Sequence, residues 1–389
     1  MRFLDYVSIN PKISLEKERI YPFVEMGDVS TSFRNPDKVE YKSFDSGVKF
    51  ADGDTVIARI TPCLQNGKRF YCKNIGKGFG STEYLVFRPK DSSVDNLYLY
   101  YFMNTDFIKE SMVRSMVGAT GRQRVNNDVF SRLDVTFPNI EIQRRIAEIL
   151  STYDDLIENN RKQIKLLEEA AQRLYKEWFV DLRFPGHENT KITDGVPKGW
   201  GKYKFSDITS IMSGGTPKTD VKEFYNGNIP FYTPKDSDDS FFAFDTITHI
   251  SQSGLDNCNS QLYPVNTVII TARGTVGKTT ILAVPMAMNQ SCYALKCDEL
   301  NSPYYLFFSL KNEVAALKKM ANGGVFNTII VKTFDSIYLI VPTQDVLNMF
   351  EALVSPIMEQ IKAKARQNIM LAEARDRLLP KLMSGEIEL

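Results

Sequence analysis

The chain has 389 residues, 43% of them hydrophobic, which is enough for two or three domains with real cores and too apolar for a disordered chain. Forty-eight basic residues face forty-seven acidic ones, a formal charge of +1, which excludes a polycation that coats nucleic acid by bulk charge. The apolar runs are strand-sized and Asp5 comes too early for a signal-peptide core. The five cysteines (Cys63, Cys72, Cys258, Cys292, Cys297) form no CxxC pair and, with His187 and His249, no metal spacing, so a soluble cytoplasmic protein with reduced thiols and no metal is expected.

Short β-rich runs open the chain, Thr55 to Ile60, Tyr84 to Arg88 and Leu133 to Phe137, separated by Gly, Asn, Asp and Pro. They predict a loop-rich mixed domain over residues 1–138. Apolar residues then recur every three or four positions from Ile142 to Trp178 without Gly or Pro, so a long helix is expected within 139–184. A helix of about 44 residues spans roughly 65 Å, too long to be buried in either domain. A linker from Phe184-Pro185-Gly186 to Trp200 leads into a second mixed domain, 185–342. Its strands are expected at Thr267 to Thr271, Cys292 to Lys296 and Ser336 to Val341. Residues 343–389 carry a second long stripe, which Pro356 is expected to kink or split and Pro380 to end.

The two halves repeat each other. Phe3-Leu4-Asp5 answers Phe205-Ser206-Asp207, and Pro22-Phe23 answers Pro230-Phe231. Thr55-Val56-Ile57 answers Thr267-Val268-Ile269, with Ala272-Arg273 near the place of Ala58-Arg59, and Phe130 and Pro138 return as Phe334 and Pro342. Adding 204 to the first stripe lands mostly on apolar residues of the second, with Asn368 and Arg375 as polar intruders. The stripes Ile142, Ile146, Ile149, Ile157, Leu167 and Leu174, and Val346, Phe350, Leu353, Ile357, Leu371 and Leu378, are expected to face each other in an antiparallel coiled coil. The expected fold is α+β, two mixed α/β heads joined by two long helices with pseudo-twofold internal symmetry. Two similar heads on a rigid spacer suit the reading of two short sequences on one duplex.

The whole chain resembles the specificity subunit of type I restriction-modification systems. The resemblance rests on Ser213-Gly214-Gly215-Thr216-Pro217 with Ile229-Pro230-Phe231, the turn Arg273-Gly274-Thr275-Val276-Gly277-Lys278, Pro138 through Ile142-Gln143-Arg144-Arg145-Ile146-Ala147, and Leu371-Ala372-Glu373-Ala374-Arg375 through Leu382. It implies two target-recognition domains, no catalysis of its own, and binding to a bipartite, asymmetric site on double-stranded DNA. It also implies recruitment of two adenine-N6 methyltransferase subunits and of endonuclease/translocase subunits, with S-adenosylmethionine, ATP and Mg on those partners. The first head departs from the pattern, opening with Ser8-Ile9-Asn10-Pro11-Lys12 in place of the paired glycines.

Arg114, Thr120, Arg122, Gln123 and Arg124 gather around Gly118-Ala119-Thr120-Gly121. Arginine can fork onto guanine or phosphate and glutamine onto adenine, which makes this loop the base-reading candidate of the first head. The second head's counterpart, Gly323 to Thr328, offers Asn327 and Thr328. Arg59, Lys68, Arg69, Thr216, Lys218, Lys235, Arg273, Thr275 and Lys278 are further DNA-contact candidates; Arg144, Arg145, Arg161, Lys162 and Lys165 on the long helix are expected to face solvent or a partner rather than DNA. Three fragments imitate enzymes. Ala272 to Thr279 lacks the first glycine of a phosphate loop, Gly76-Lys77-Gly78-Phe79-Gly80 precedes a strand and is read as a turn, and Asn301-Ser302-Pro303-Tyr304 is read as a helix start rather than a methyltransferase signature. The rival readings are a self-contained adenine-N6 DNA methyltransferase and a coiled-coil scaffold that binds no DNA. If the helices set the spacing, deleting a matched heptad from both should shorten the preferred gap between half-sites, as read by selection from randomised duplexes. An unchanged gap would refute the ruler.

Overall fold

The computed structural model describes residues 1–297, 300, 302–320 and 328–389, without the side chains of 318–320. It falls into two compact units, Met1–Arg161 with Gln367–Leu389, and Lys162–Arg366, so that each unit holds one head and a length of both long helices. Among the described residues no helix is long and apolar enough to cross a membrane.

In the first unit, the strands Val7–Ile9, Tyr84–Pro89, Thr55–Ala58 and Arg69–Tyr71 lie side by side in that order, all antiparallel. A second sheet runs Glu40–Ser43, Ile20–Val24, Gly78–Gly80, Val48–Phe50, its middle pair parallel. The second unit repeats this plan. Ser210–Ser213, Cys292–Lys296, Val268–Thr271 and Thr279–Leu282 form the antiparallel set, extended by Phe242–Ala243. The smaller sheet runs His249–Ile250, Ile229–Tyr232, Ala287–Met288, again with one parallel pair. The central strands Thr55–Ala58 and Val268–Thr271 are buried at every residue, which is why they read as unbroken apolar runs rather than alternating ones.

The duplication extends to single bonds. The Phe3 amide donates to Leu133 O at 2.9 Å and the Phe205 amide to Ile337 O at 2.9 Å. The Phe3 and Phe130 rings lie 5.8 Å apart, and those of Phe205 and Phe334 5.4 Å. Arg59 donates to Glu83 O and accepts from the Val125 amide, and Ala272 makes the same two bonds with Ser291 and Ile329. Arg59 therefore corresponds to Ala272, and Arg273 falls one residue beyond it.

The first long helix is Ile140–Tyr175, continued by a wider π-type turn at Lys176–Val180. Its start is capped by the Asn139 side chain, which accepts the Ile142 amide at 2.9 Å. The second, Gln344–Ser384, is one continuous helix, so Pro356 does not split it and Pro380 does not end it as expected. A proline costs an interior helix roughly 3 kcal/mol. Val354, Met358 and Ile361 around Pro356, and Leu379 and Leu382 around Pro380, are buried, and their burial outweighs that cost. The helix ends where Gly385, at φ +74°, supplies the left-handed turn.

The apolar stripes serve the heads as well as the opposite helix. Ile146, Ala147 and Leu150 share one core with Leu99 and Tyr100 of the first head and with Leu379 and Leu382. Ala171, Tyr175 and Trp178 share another with Phe307 and Phe308 of the second head and with Val346, Phe350 and Ile361. Of the predicted stripe, Ile146, Ile157, Val346 and Phe350 are buried, while Ile142, Ile149, Leu167, Leu174, Ile357, Leu371 and Leu378 are half-buried. Leu353 is 51% exposed, because from Phe350 the stripe takes a step of four to Val354 rather than of three.

The polar intruders are paired. Within the first unit, the Asn160 amide donates to Gln367 at 2.9 Å and to Asn368 at 3.0 Å. Nearly two turns away, Arg375 forms an ion pair with Asp154, both side chains 5% exposed or less, and the Tyr101 hydroxyl donates to Asp154 at 2.5 Å. Going back along one helix goes forward along the other, so the two run antiparallel here. Arg34, its side chain 2% exposed, reaches from the head to Asp155 at 2.5 Å and Glu158 at 3.5 Å. Arg161 pairs with Asp37 and lies 4.0 Å over the Phe33 ring, so it binds the head rather than facing outward. Arg375→Ala strands the enclosed Asp154 carboxylate and is expected to cost roughly 3–5 kcal/mol in chemical denaturation, most of it recovered when both residues become leucine.

Candidate nucleic-acid interface

In the first head, the segments 59–61, 81–83 and 117–125 are laced together. Thr61 and Gln123 exchange bonds, Thr61 N to Gln123 O at 2.9 Å and Gln123 N to Thr61 Oγ1 at 3.0 Å. Arg124 and Val117 close the loop with two backbone bonds of 2.9 Å. Gly118 at φ +121° and Gly121 at φ +81° let the chain reverse, leaving Ala119, Thr120 and Arg122 exposed at its tip.

The predicted cations of this head differ in availability. Arg122 is exposed and makes no side-chain hydrogen bond or ion pair among the described residues. Arg124 is held by the Glu83 carboxylate, with contacts from 2.7 to 3.0 Å that lower the Glu83 pKa through hydrogen bonding to the guanidinium. Arg114 pairs with Glu110 one helical turn away. Lys68 donates to Met26 O at 2.6 Å and Arg69 to Gly67 O at 2.8 Å, both turned toward their own chain. Arg69 also lines a cavity of 580 Å³ with Arg375, Phe107 and Met383. Arg59 is half-buried, its Nε without a partner and its Nη2 3.5 Å from Val125 O.

In the second head, four connections converge. The paired glycines have a physical reason: a Cβ on Gly214 would lie 2.3 Å from the Met288 and Asn289 carbonyl oxygens, and one on Gly215 2.5 Å from Asn259 N. This close approach carries Thr216 to Gln290, with which it hydrogen-bonds. The Thr275 hydroxyl meets Ser237 Oγ at 2.6 Å and Pro234 O at 3.1 Å, and Lys278 pairs with Asp239. Lys235, Arg273, Thr275 and Lys278 thus belong to two interlocked turns, with Lys235 and Arg273 exposed. Lys218 and Thr328 are exposed as well; Asn327 and Gly323 to Phe326 lie outside the described residues. Gln290, Asn289, Asn259, Ser237 and Glu83 were missed in the sequence reading, since isolated polar loop residues carry no periodic signal.

The enzyme-like fragments resolve into structure. Thr271 and Lys278 bond across a hairpin turn in which Gly274 and Gly277 take φ +78° and +76°, so this segment joins two strands instead of opening a phosphate-binding helix. Gly78–Gly80 is a strand, and of the three glycines only Gly76 takes a left-handed φ, +75°. A Cβ on Gly80 would lie 2.5 Å from Val24 O, which corrects the reading of the whole fragment as a turn. Pro303 opens a helix, with the Ser302 hydroxyl bonded to Glu351, while Asn301 lies outside the described residues. Among the described residues no group of three or more His, Cys, Asp and Glu is placed to hold a metal ion.

A family model described as the type I restriction modification DNA specificity domain matches residues 8–169 and again 197–365. The type I restriction enzyme MjaIX specificity subunit of Methanocaldococcus jannaschii is 30% identical over 311 residues, covering 77% of this chain and 70% of that protein. The HindI specificity subunit of Haemophilus influenzae is 26% identical over 94% of each chain. The crystal structure of a type I restriction-modification S subunit from M. genitalium shares the fold, with a TM-score of 0.58 at 16% identity over 98% of this chain and 95% of that one.

A titratable group sits beneath the interlocked turns. Glu168 of the first long helix is pushed up to about 7, chiefly by burial and further by Asp238 and Asp239, against the opposing pull of Lys311 and a bond from the Phe241 backbone. Lys311 lies 4.3 Å over the Phe241 ring, and burial lowers its pKa. A carboxyl raised on folding favours the protonated native state. Its contribution is therefore complete below its ordinary value of 4.5 and lost as pH rises through about 7. Denaturant unfolding at a series of pH values is expected to show that decline, and Glu168→Gln to remove it and to exceed the parent in stability at about pH 8.

Proposed function

The chain belongs to the type I restriction modification DNA specificity family, and from that premise we propose how it works: each head reads one half of a bipartite, asymmetric site on double-stranded DNA. It is a specificity subunit and not itself an enzyme. The observation that carries the mechanism is the duplication of the head down to single hydrogen bonds, combined with different side chains on the duplicated loops. One scaffold used twice accounts for a site in two parts, and unlike loops account for its asymmetry. In the first head, Arg122, Gln123 and Arg124 would address base edges in the major groove, with Thr120 at the loop tip. In the second, Thr216, Thr275 and Thr328 would supply neutral donors, and Lys218, Lys235 and Arg273 would contact phosphates and set the register.

The near-zero charge supports a small number of local contacts and dependence on partners, since residues 1–138 carry 20 basic and 17 acidic residues and residues 186–342 carry 14 of each. Two methyltransferase subunits would bring S-adenosylmethionine and perform adenine-N6 methylation, and endonuclease/translocase subunits would bring ATP and Mg. A chromosomal or invading duplex as target would set the compartment as the cytoplasm. The test is retention of one selected duplex over scrambled DNA by the chain assembled with the methyltransferase subunit, alongside titration of S-adenosylmethionine into the chain alone. Specific retention is expected, weakened by Arg122→Ala, with no saturable cofactor binding to the isolated chain. Equal retention of scrambled DNA, or saturable binding by the chain alone, would overturn the reading.

A further inference from the structure

Glu83 had no role in the sequence reading, yet it is half-buried and bonded through both its backbone and its side chain. It ends the connection Ser81–Glu83 between the strands Gly78–Gly80 and Tyr84–Pro89. The Ser81 hydroxyl accepts the Glu83 amide at 3.1 Å, and Glu83 O accepts the Arg59 amide at 2.8 Å, so its backbone is fixed from both sides. Its carboxylate takes Arg124 Nε at 2.9 and 3.0 Å and Nη2 at 2.7 Å. The two side chains are 23% and 46% exposed. At that exposure such a pair adds little to folding, so stability does not explain it.

The geometry of a guanidinium decides what is left over. Of its five N–H groups, the carboxylate occupies Nε and one hydrogen of Nη2. The other Nη2 hydrogen and one Nη1 hydrogen form a second fork on the terminal edge, and Nη1 has no hydrogen-bond partner among the described residues. That fork matches O6 and N7 of guanine. The carboxylate also biases the choice of acceptor, because its charge opposes a phosphate far more than a neutral base edge. In the second head the same backbone bonds place Ser291 where the first has Glu83, and Thr328 where it has Arg124. The device belongs to one head only.

We infer that Glu83 is a positioning residue for base recognition: it holds the Arg124 guanidinium so that the terminal Nη1/Nη2 edge addresses a guanine in the half-site of the first head. This rests on the proposed reading of the chain as a DNA specificity subunit. The chain assembled with its methyltransferase subunit selects a preferred duplex from a randomised library, and single base-pair variants of that duplex are then bound by the parent, Glu83→Ala, Glu83→Gln, Arg124→Ala and the Glu83→Ala/Arg124→Ala double variant. Glu83→Ala is expected to lose about tenfold in discrimination at one G·C pair, Glu83→Gln part of that, and Arg124→Ala a similar amount at the same pair. The double variant should lose no more than Arg124→Ala. Discrimination in the other half-site and the melting temperature of the complex should not change, which a merely structural role for Glu83 would not spare. Unchanged discrimination at every position, or uniformly weaker or tighter binding to all duplexes, would overturn the inference while leaving the proposed function standing. Selection of no preferred duplex by the parent complex would instead sink the proposed function, and this inference with it.

Discussion

The enclosed ion pair between Asp154 and Arg375 is the constraint on which the helical part of the first unit depends. Two charges with side chains 5% exposed or less can be tolerated only when they meet, and they meet at one register of the two helices. Apolar stripes do not impose that precision, since leucine and isoleucine pack nearly as well one turn away. The hydrogen bonds of Asn160 to Gln367 and Asn368 reinforce the same register, so the polar residues that look like defects in the stripe make the pairing unique.

From this register the docking of the first head follows. Arg34 and Lys73 reach Asp155, Arg161 reaches Asp37, and Tyr101 shares the Asp154 carboxylate with Arg375. Head and helices are thus tied through the adjacent helix carboxylates Asp154 and Asp155 and through Arg161, and the helix stripe contributes to the core of the head. The second unit has the same logic in apolar form: Tyr175, Trp178 and Phe179 surround Phe350, with ring centroids 4.9 to 6.4 Å apart. A proline inside the second helix is tolerated because burial on either side of it is worth more than the lost backbone bond.

Much of this was legible without coordinates. The 3.6-residue stripes, the repeat of Phe3 and Phe205 with Phe130 and Phe334, and the paired glycines all signal their places, because period and steric need are written locally. The site was legible only in part. Arg122 stands exposed at a loop tip, as its flanking glycines suggest, whereas Lys68 and Arg69 are engaged by backbone carbonyls and Arg59 is half-buried. Composition names the cations of a loop, but which of them face outward depends on acceptors distant in the chain. Gln290 beside Thr216 and Glu83 beside Arg124 are separated from their partners by 74 and 41 positions, and no motif connects them.

The sequence by itself determined that the chain is one head-and-helix unit used twice, near neutrality, and that its family is that of the DNA specificity subunits, because periodicity, duplication and motif order are properties of the residues in line. Only the tertiary structure decided that the second helix runs unbroken through Pro356 and Pro380, that Arg59 corresponds to Ala272 rather than Arg273, and that Arg124 is held by Glu83. Each of these is a competition between a local preference and contacts distant in sequence, and the contacts win because burial and charge pairing at a folded interface outweigh the preference of any single residue.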